Sequence, residues 1–257
     1  MATGRSLDKW KRVYVDGYDL SGFSRSVGPL EITYDEADLT ADMSDTVKGY
    51  LPNHAHVNLG VLNAVFDNTA TVGLHALMNA AGVAREVIVA QGIRAAPAAG
   101  DPVFCGVFTH KAYQVEESGG AVVATIPWSG WAADAASKLY AGAWGDLLHA
   151  SGAETGANTG TGSDNPTANS TAKGGFFIYH VLAGDAGTVT LSVDDSANNS
   201  TWLALSGATS GSIAASAGVS GLVAIGTTAT VRRYLRWQLA LGTAATVTFV
   251  SAFCRAY

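Results

Sequence analysis

The chain has 257 residues, of which 48% are hydrophobic and 14% are charged. This composition excludes disorder for most of its length, because disordered segments are rich in charge and poor in apolar residues. No stretch reaches the ~20 uninterrupted apolar residues of a membrane span, and charges near the amino terminus argue against a secretory signal. The net charge of −6 lies entirely before Ser151. Up to Ala150 there are 10 Lys and Arg residues against 16 Asp and Glu residues, and from Ser151 on there are 5 basic and 5 acidic residues. The chain therefore lacks the basic surface of a tight nucleic-acid binder.

The first 150 residues are predicted to form mainly strands. Alternating apolar and β-branched residues indicate strands over residues 12–15, 30–34, 55–66, 86–91, 103–113 and 121–128. Residues 35–52 are acidic, and their apolar residues show neither strand nor helix spacing, which predicts a long loop. Apolar residues at helical spacing predict a short helix over 72–82 that stops at Gly82. Residues 132–148 fit either a helix over 133–140 or a loop that leads to a last strand.

A second unit follows a segment without large apolar residues. Residues 153–173 are dense in Gly, Ser, Thr and Asn, which predicts a flexible linker between a domain over 1–152 and a domain over 174–257. In the second domain, β-branched and aromatic runs predict strands over 176–182, 188–194, 202–205, 222–225, 234–241 and 246–255. Short spacings with Gly, Asn and Asp turns between them predict an antiparallel β-sandwich.

The sequence carries no catalytic or cofactor motif, so neither an enzymatic activity nor a cofactor is expected. A nucleophile elbow and a phosphate-binding loop are both missing. His54 and His56 share one face of an extended segment but lack the further ligands that zinc needs. Residues 194–200 offer many oxygen ligands without the EF-hand spacing, which favours a hairpin turn over a calcium site. Cys105 and Cys254 lie far apart in the sequence and are predicted to be buried thiols.

Six carboxylates stand within fifteen residues, with no base before Lys48: Glu31, Asp35, Glu36, Asp38, Asp42 and Asp45. In a monomer this segment would be a solvated loop. In a ring every subunit would repeat it, and the negative fields would add across the central opening or the ring face. The segment is therefore a candidate feature of assembly.

The second unit contains one basic and aromatic patch, residues 232–237. Stacking on nucleic-acid bases is one use of such a patch, but three arginines on a neutral domain favour ordinary contacts between strands. Trp202 and Trp237 are candidate stacking platforms for a glycan. A glycan-binding module is therefore an alternative function for this unit.

The order of the elements between residues 10 and 150 follows a known pattern. An opening strand runs into Asp-Leu-Ser-Gly within residues 13–23, a later strand ends in Phe-Asp-Asn at 66–68, and the predicted helix 72–82 follows. With the strands at 106–113 and 121–126, this order resembles the tail tube (major tail) protein of long-tailed, siphovirus-like bacteriophages. The second unit is similar to the β-sandwich modules of virion proteins, which sit outside the tube in some tail tube proteins; whether this one projects outward or joins the wall stays open.

The resemblance implies a mainly β protein, with a tail-tube β-barrel or sandwich that carries one short helix and a C-terminal antiparallel β-sandwich. Copies would form hexameric rings that stack into the tail tube of the virion, after synthesis in the cytoplasm of the bacterial host. Neighbouring rings would be bridged by the amino-terminal arm and by an inter-ring loop with Asp35, Glu36, Asp38, Asp42, Asp45 and Lys48.

The same resemblance implies a passage for DNA. Glu31, Asp35, Glu36 and Asp38 are the candidates for an acidic lumen or ring face, which would repel phosphates and let DNA pass without specific binding. The expected partners are further copies of the chain and other tail proteins, namely the tape measure, tail terminator and distal tail proteins, and no membrane. A neck-ring or head decoration protein is the alternative within the virion.

Overall fold

The computed structural model of the chain describes residues 5–38, 50–93, 95–129, 142–164 and 173–255. These residues are mainly β, with strands joined in antiparallel sheets. The prediction of a mainly β chain is confirmed.

The described residues of the amino-terminal half form ten strands and a short helix. The strands are β1 (Lys11–Val15), β2 (Tyr18–Asp19), β3 (Ser24–Gly28), β4 (Glu31–Asp38), β5 (Tyr50–Asn58), β6 (Val61–Val65), β7 (Ala84–Gln91), β8 (Pro102–His110), β9 (Gln114–Ser118) and β10 (Ala121–Ser129). Helix α1 (Leu74–Met78) lies between β6 and β7, and a 3-10 turn (Asp8–Trp10) precedes β1.

Ten further strands lie among the described residues of the carboxyl-terminal half. They are β11 (Gly142–Glu154), β12 (Asn158–Thr159), β13 (Ser163–Asp164), β14 (Gly175–Gly184), β15 (Thr188–Ser196), β16 (Leu203–Thr209), β17 (Ile213–Ala214), β18 (Val219–Ile225), β19 (Tyr234–Leu241) and β20 (Val247–Arg255).

Three sheets are formed by the described residues. The largest has twelve strands and runs along β18-β14-β20-β11-β8-β10-β6-β3, with β7, β1 and β2 continuing from β8 and β9 pairing with β10. A six-stranded sheet contains β15 and β19, with β12, β13, β16 and β17 at their sides. The third sheet is the hairpin of β4 and β5. Because β11 pairs with both β8 and β20, the sheet continues from the amino-terminal half into the carboxyl-terminal half.

Strands β14 and β20 are buried on both faces. Phe177 and Phe249 point into a cluster shared with β15 and β19, whereas Phe176 and Val250 point into a second cluster shared with β1, β7 and β8. This double burial explains why both strands are almost continuously apolar instead of alternating. A third cluster fills the amino-terminal half under α1, around Phe104, Phe108 and other side chains of β6, β7, β8 and β10.

The predicted loop over 35–52 is wrong at both ends, because β4 continues to Asp38 and β5 begins at Tyr50. From Thr33 to Glu36 every residue of β4 is exposed, so this stretch lacks the buried face that produces an apolar period. Residues 39–49 lie outside the described residues. The single strand predicted over 55–66 is two strands, because the chain turns at Gly60, where φ is +71° and a Cβ would overlap the backbone of Gly28.

The helix predicted over 72–82 is present but shorter, since it is confined to Leu74–Met78. Leu74 and Met78 are its buried residues, and Gly82 lies beyond it in a turn with φ of +83°. The alternative helix over 133–140 falls outside the described residues.

The predicted linker over 153–173 contains paired strands. Asn158–Thr159 and Ser163–Asp164 both pair with β19, and β11 continues to Glu154. Small polar residues suit this segment because it packs closely: a Cβ at Gly160 would overlap the ring of Trp237. The linker prediction is therefore corrected for residues 153–164, and residues 165–172 lie outside the described part of the chain.

Candidate functional site

The β4–β5 hairpin forms a sheet of its own, separate from the two larger sheets. Near its base, Ile32 and Val57 pack against the amino-terminal cluster. Beyond them the strand is open to solvent, and the ring of Tyr34 is 57% exposed. Among the described residues, β4 and β5 pair only with each other. The hairpin is thus an arm of eight-residue and nine-residue strands without a neighbouring strand in the described part of its own chain.

The carboxylates of β4 are divided between two faces. The register of the hairpin shifts between Tyr34 and Glu36 because β5 carries one additional residue there, so the side chains of β4 keep alternating. Glu31 and Asp35 therefore share one face, whereas Glu36 and Asp38 share the other face with Tyr34. Asn58 donates its side-chain amide to Glu31 at 2.9 Å. The candidate lumen residues therefore do not form a single acidic surface on this strand.

The predicted inter-ring residues fall partly within the described hairpin. Asp35, Glu36 and Asp38 lie on β4, in a strand and not in a loop. Asp42, Asp45 and Lys48 lie outside the described residues. Nε2 of His56 on β5 lies 2.9 Å from Asp35, a neighbour that the sequence analysis did not assign. The side chain of His54 is outside the described residues.

The basic patch of the second unit is paired with aspartates. Arg236 directs Nε and Nη2 to Oδ2 of Asp194, at 3.0 and 2.8 Å, and Gln238 donates to the same oxygen. Arg232 binds Asp195 through its backbone N–H and through Nη1, at 2.8 and 2.6 Å. Arg236 thus links β19 to β15, as predicted for a contact between strands, whereas Arg232 lies before β19 and binds β15 from there.

The third arginine of the patch forms an exposed pair. Arg233 makes two hydrogen bonds to the carboxylate of Asp164, at 2.7 and 2.8 Å. These two hydrogen bonds lower the pKa of Asp164 and raise the pKa of Arg233. Asp164 belongs to β13, so the ion pair fastens the segment between β11 and β14 to β19.

The glycan-stacking prediction is wrong for Trp237. Its side chain is 6% exposed and packs edge-on against His149 and Phe249, with ring centroids 4.6 and 5.4 Å away. Trp202 is half-buried, and the guanidinium carbon of Arg236 lies 4.5 Å from its ring centroid. The indole of Trp237 therefore lacks the open face that a sugar ring would require, and stacking of a sugar on Trp202 stays a prediction.

The turn predicted over 194–200 is present in part, because β15 continues to Ser196 and the turn follows it. Oδ1 of Asn198 accepts the backbone N–H groups of Ser200 and Thr201, at 3.1 and 2.9 Å. Asn199 adopts φ of +58°, a left-handed conformation that asparagine tolerates. The two aspartates that precede the turn are engaged by the arginines described above.

A buried polar network connects the β1–β2 turn to β7 and β8. Arg85 donates Nη1 to Asp16 at 2.6 Å and Nε to Nδ1 of His110 at 3.1 Å. Burial raises the pKa of Asp16 to about 6, although Arg85 opposes this shift. Burial and the charge of Arg85 lower the pKa of His110. No motif spacing predicted this network, since its members come from three separate strands and turns.

No protein-family model matches the chain, and no curated protein matches it. Among solved structures, the chain is similar to the Dit (gp 19.1) protein of SPP1, described as "a Paradigm of Hub Adsorption Apparatus in Gram-positive Infecting Phages". The match covers 95% of this chain and 99% of the Dit chain, at 11% sequence identity and a TM-score of 0.32. Similarity at this level does not establish a common fold.

The described residues contain no group of three or more His, Cys, Asp or Glu side chains placed to hold a metal ion. Within the same part of the chain, no helix has both the length and the apolar character to cross a membrane.

Proposed function

We propose that this chain is a structural protein of a bacteriophage tail, that its copies form stacked hexameric rings of the tail tube, and that it has no enzymatic activity. The observation that carries the proposal is the β4–β5 hairpin, whose strands pair only with each other among the described residues. An isolated two-stranded hairpin is marginally stable in water. A neighbouring copy in a stacked ring would cover it.

The face of the hairpin that carries Tyr34 is suited to that contact. Aromatic residues are enriched at the centre of protein interfaces, and the ring of Tyr34 is 57% exposed on a strand that is otherwise polar there. Glu36 and Asp38 follow it on the same face. In the proposed assembly this face lies against the neighbouring ring, where the two carboxylates fix register and partner choice more than affinity.

The opposite face, with Glu31 and Asp35, would remain open. Six copies would repeat these carboxylates around the ring, so their potentials would add. A negative surface repels DNA phosphates. The passage of DNA through the tube without specific binding is consistent with the net charge of −6, which lies before Ser151.

The proposed location is the virion tail, after synthesis in the cytoplasm of the bacterial host, and the proposed partners are the tape measure, tail terminator and distal tail proteins. A neck-ring or head decoration protein is distinguished by its assembly, because its rings or clusters would not stack into a tube.

Electron microscopy of the purified chain tests the proposal. The expected result is six-fold rings stacked into tubes, at high protein concentration or on nucleation by other tail proteins. A chain that remains monomeric under all of these conditions would contradict it. Rings that form but never stack would support the neck-ring alternative and overturn the tube assignment.

A pair of charge-reversal variants tests the role of the hairpin. Glu36→Lys with Asp38→Lys should abolish stacking and leave the circular dichroism spectrum unchanged. The matched control is Glu116→Lys with Glu117→Lys, which makes the same change in net charge on the exposed strand β9. Because β9 pairs with the main sheet through β10, the control should still form tubes. Equal loss of tubes in both variants would show that net charge, and not the hairpin, controls assembly.

A further inference from the structure

The two cysteines of the chain meet inside the largest sheet. Cys105 lies on β8 and Cys254 on β20, 149 positions apart in the sequence, and their Sγ atoms are 2.8 Å apart. Both side chains are fully buried in the cluster between β14 and β20 on one side and β1, β7 and β8 on the other. The pair therefore joins a strand of the amino-terminal half to the last strand of the chain.

A glycine on the intervening strand makes this contact possible. Strand β11 pairs with β8, where Ala143 is opposite Cys105, and with β20, where Asp146 is opposite Phe253. Gly145 lies between these positions, and a Cβ there would come within 2.5 Å of Sγ of Cys254. Because Gly145 has no side chain, the two sulfur atoms approach each other across β11.

We propose that Cys105 and Cys254 are a disulfide-forming pair, which closes when the chain folds in the presence of a low-molecular-weight disulfide such as oxidised glutathione. The two thiols are oxidised to one intramolecular disulfide, and the glutathione disulfide is reduced to two glutathione thiols. Two protons stay with the released thiols, so the exchange balances. The first cysteine forms a mixed disulfide, which the second then attacks.

Bond formation requires the two sulfur atoms, and the strands on either side of β11 that carry them, to move closer together. A bonded pair of sulfur atoms is about 2.05 Å apart, so the present separation of 2.8 Å must shorten by about 0.8 Å. Burial raises the pKa of Cys254 well above its usual value, so little of the reactive thiolate exists in the folded chain. Oxidation of the native protein is therefore slow, and the bond forms during folding or transient opening.

Other uses of this pair are disfavoured. A reactive surface thiol would need exposure, which both residues lack. A structural zinc site would need about four ligands, and no cluster of three candidate ligands occurs in the described part of the chain. Once formed, the bond would close a very long loop, for which the constraint on the unfolded chain is largest in the chain-entropy description.

Intact mass spectrometry of the full chain tests the proposal. The native chain is incubated with reduced and oxidised glutathione at a urea concentration just below unfolding, so that openings admit the oxidant, and is then denatured and alkylated. The expected result is a monomer with no added alkyl group and a proteolytic fragment that contains both cysteines. A parallel sample in dithiothreitol should gain two alkyl groups.

The unfolding midpoint in urea should be higher for the oxidised chain than for the reduced chain. The control is Cys105→Ala, in which oxidised glutathione should leave that midpoint unchanged. Two alkyl groups on the glutathione-treated chain, or a disulfide only between two chains, would overturn the proposal. The result is independent of ring formation, because the measurement uses dissociated, denatured chains.

Discussion

Gly17 donates its backbone N–H to Nδ1 of His180 at 2.8 Å, and this hydrogen bond joins the β1–β2 turn to β14. The backbone N–H of Gly218 in turn reaches the carbonyl of Gly17 at 3.2 Å. Nearby, Ser220 on β18 donates to Glu86 on β7 at 3.1 Å. The amino-terminal strands are thus attached to the carboxyl-terminal ones by polar contacts as well as by the shared apolar cluster.

The imidazole of His180 should make the stability depend on pH. Burial lowers its pKa to about 3, against about 6.5 in the unfolded chain. Below pH 6.5 the unfolded chain binds the additional proton, so stability decreases as the pH falls from about 6.5 towards 3. Between pH 6 and pH 4.5 this group alone should cost about 2 kcal/mol of unfolding free energy.

Urea unfolding of His180→Asn at both pH values measures that contribution. Asparagine retains an acceptor for Gly17 but does not titrate in this range. The variant should therefore lose about 2 kcal/mol less than the wild type between pH 6 and pH 4.5. Because other titrating groups are common to both chains, their effects cancel in this comparison, and parallel losses would show that His180 is not a buried neutral base.

The burial of the aspartates that pair with the arginine patch predicts that two similar Arg→Ala substitutions lower the unfolding free energy by different amounts. Asp194 is 5% exposed, whereas the side chain of Asp164 is 42% exposed. Arg236→Ala leaves a buried carboxylate with Gln238 as its remaining side-chain donor, and it should lower the unfolding free energy by about 3 kcal/mol. Arg233→Ala is the matched control, and solvent should compensate for its loss. Equal urea midpoints for the two variants would contradict the contrast in burial.

The strands of the carboxyl-terminal half were the most predictable part of the fold. Tyr234–Leu241 has the predicted bounds, because its alternation between buried and half-buried residues follows the period of a strand with one inner face. Turns that contain Gly or Asn indicated where most of the other predicted strands end. For these strands local patterns were sufficient.

Partners distant in sequence were not predictable. Neither the pairing of β11 with both β8 and β20 nor the contact of Cys105 with Cys254 has a local signal, since each depends on the assembled sheet. Trp237 was predicted to be an exposed stacking platform because it stands among arginines in the sequence. The alternation of buried and half-buried side chains along β19 instead places it on the inner face. That alternation was the available signal for its burial.

Asp146 should destabilise the chain at neutral pH. Burial raises its pKa to about 6, with Arg255 opposing and Asp164 adding to the shift, and its Oδ2 has no hydrogen-bond partner among the described residues. The protonated form therefore stabilises the fold at low pH, and this contribution is lost as the pH rises through about 6. Asp146→Asn should raise the unfolding free energy relative to the wild type, by about 1 kcal/mol more at pH 7 than at pH 5. Thermal unfolding at the two pH values measures this difference, and a gain that is independent of pH would contradict the assignment.

The two faces of β4 predict opposite effects on assembly and on DNA. Glu31→Lys with Asp35→Lys changes the face without Tyr34, so the tubes of the proposed function should still form. Their lumen would then attract phosphates, and DNA retention should decrease steeply as salt is raised, because bound phosphates release counterions. Glu36→Lys with Asp38→Lys makes the same change in charge on the other face and should instead prevent stacking. Filter binding of labelled DNA across a salt series, with electron microscopy of the same samples, measures both effects. Loss of tubes in the first variant would place Glu31 and Asp35 at the contact between rings, and tubes that never retain DNA would exclude them from the lumen.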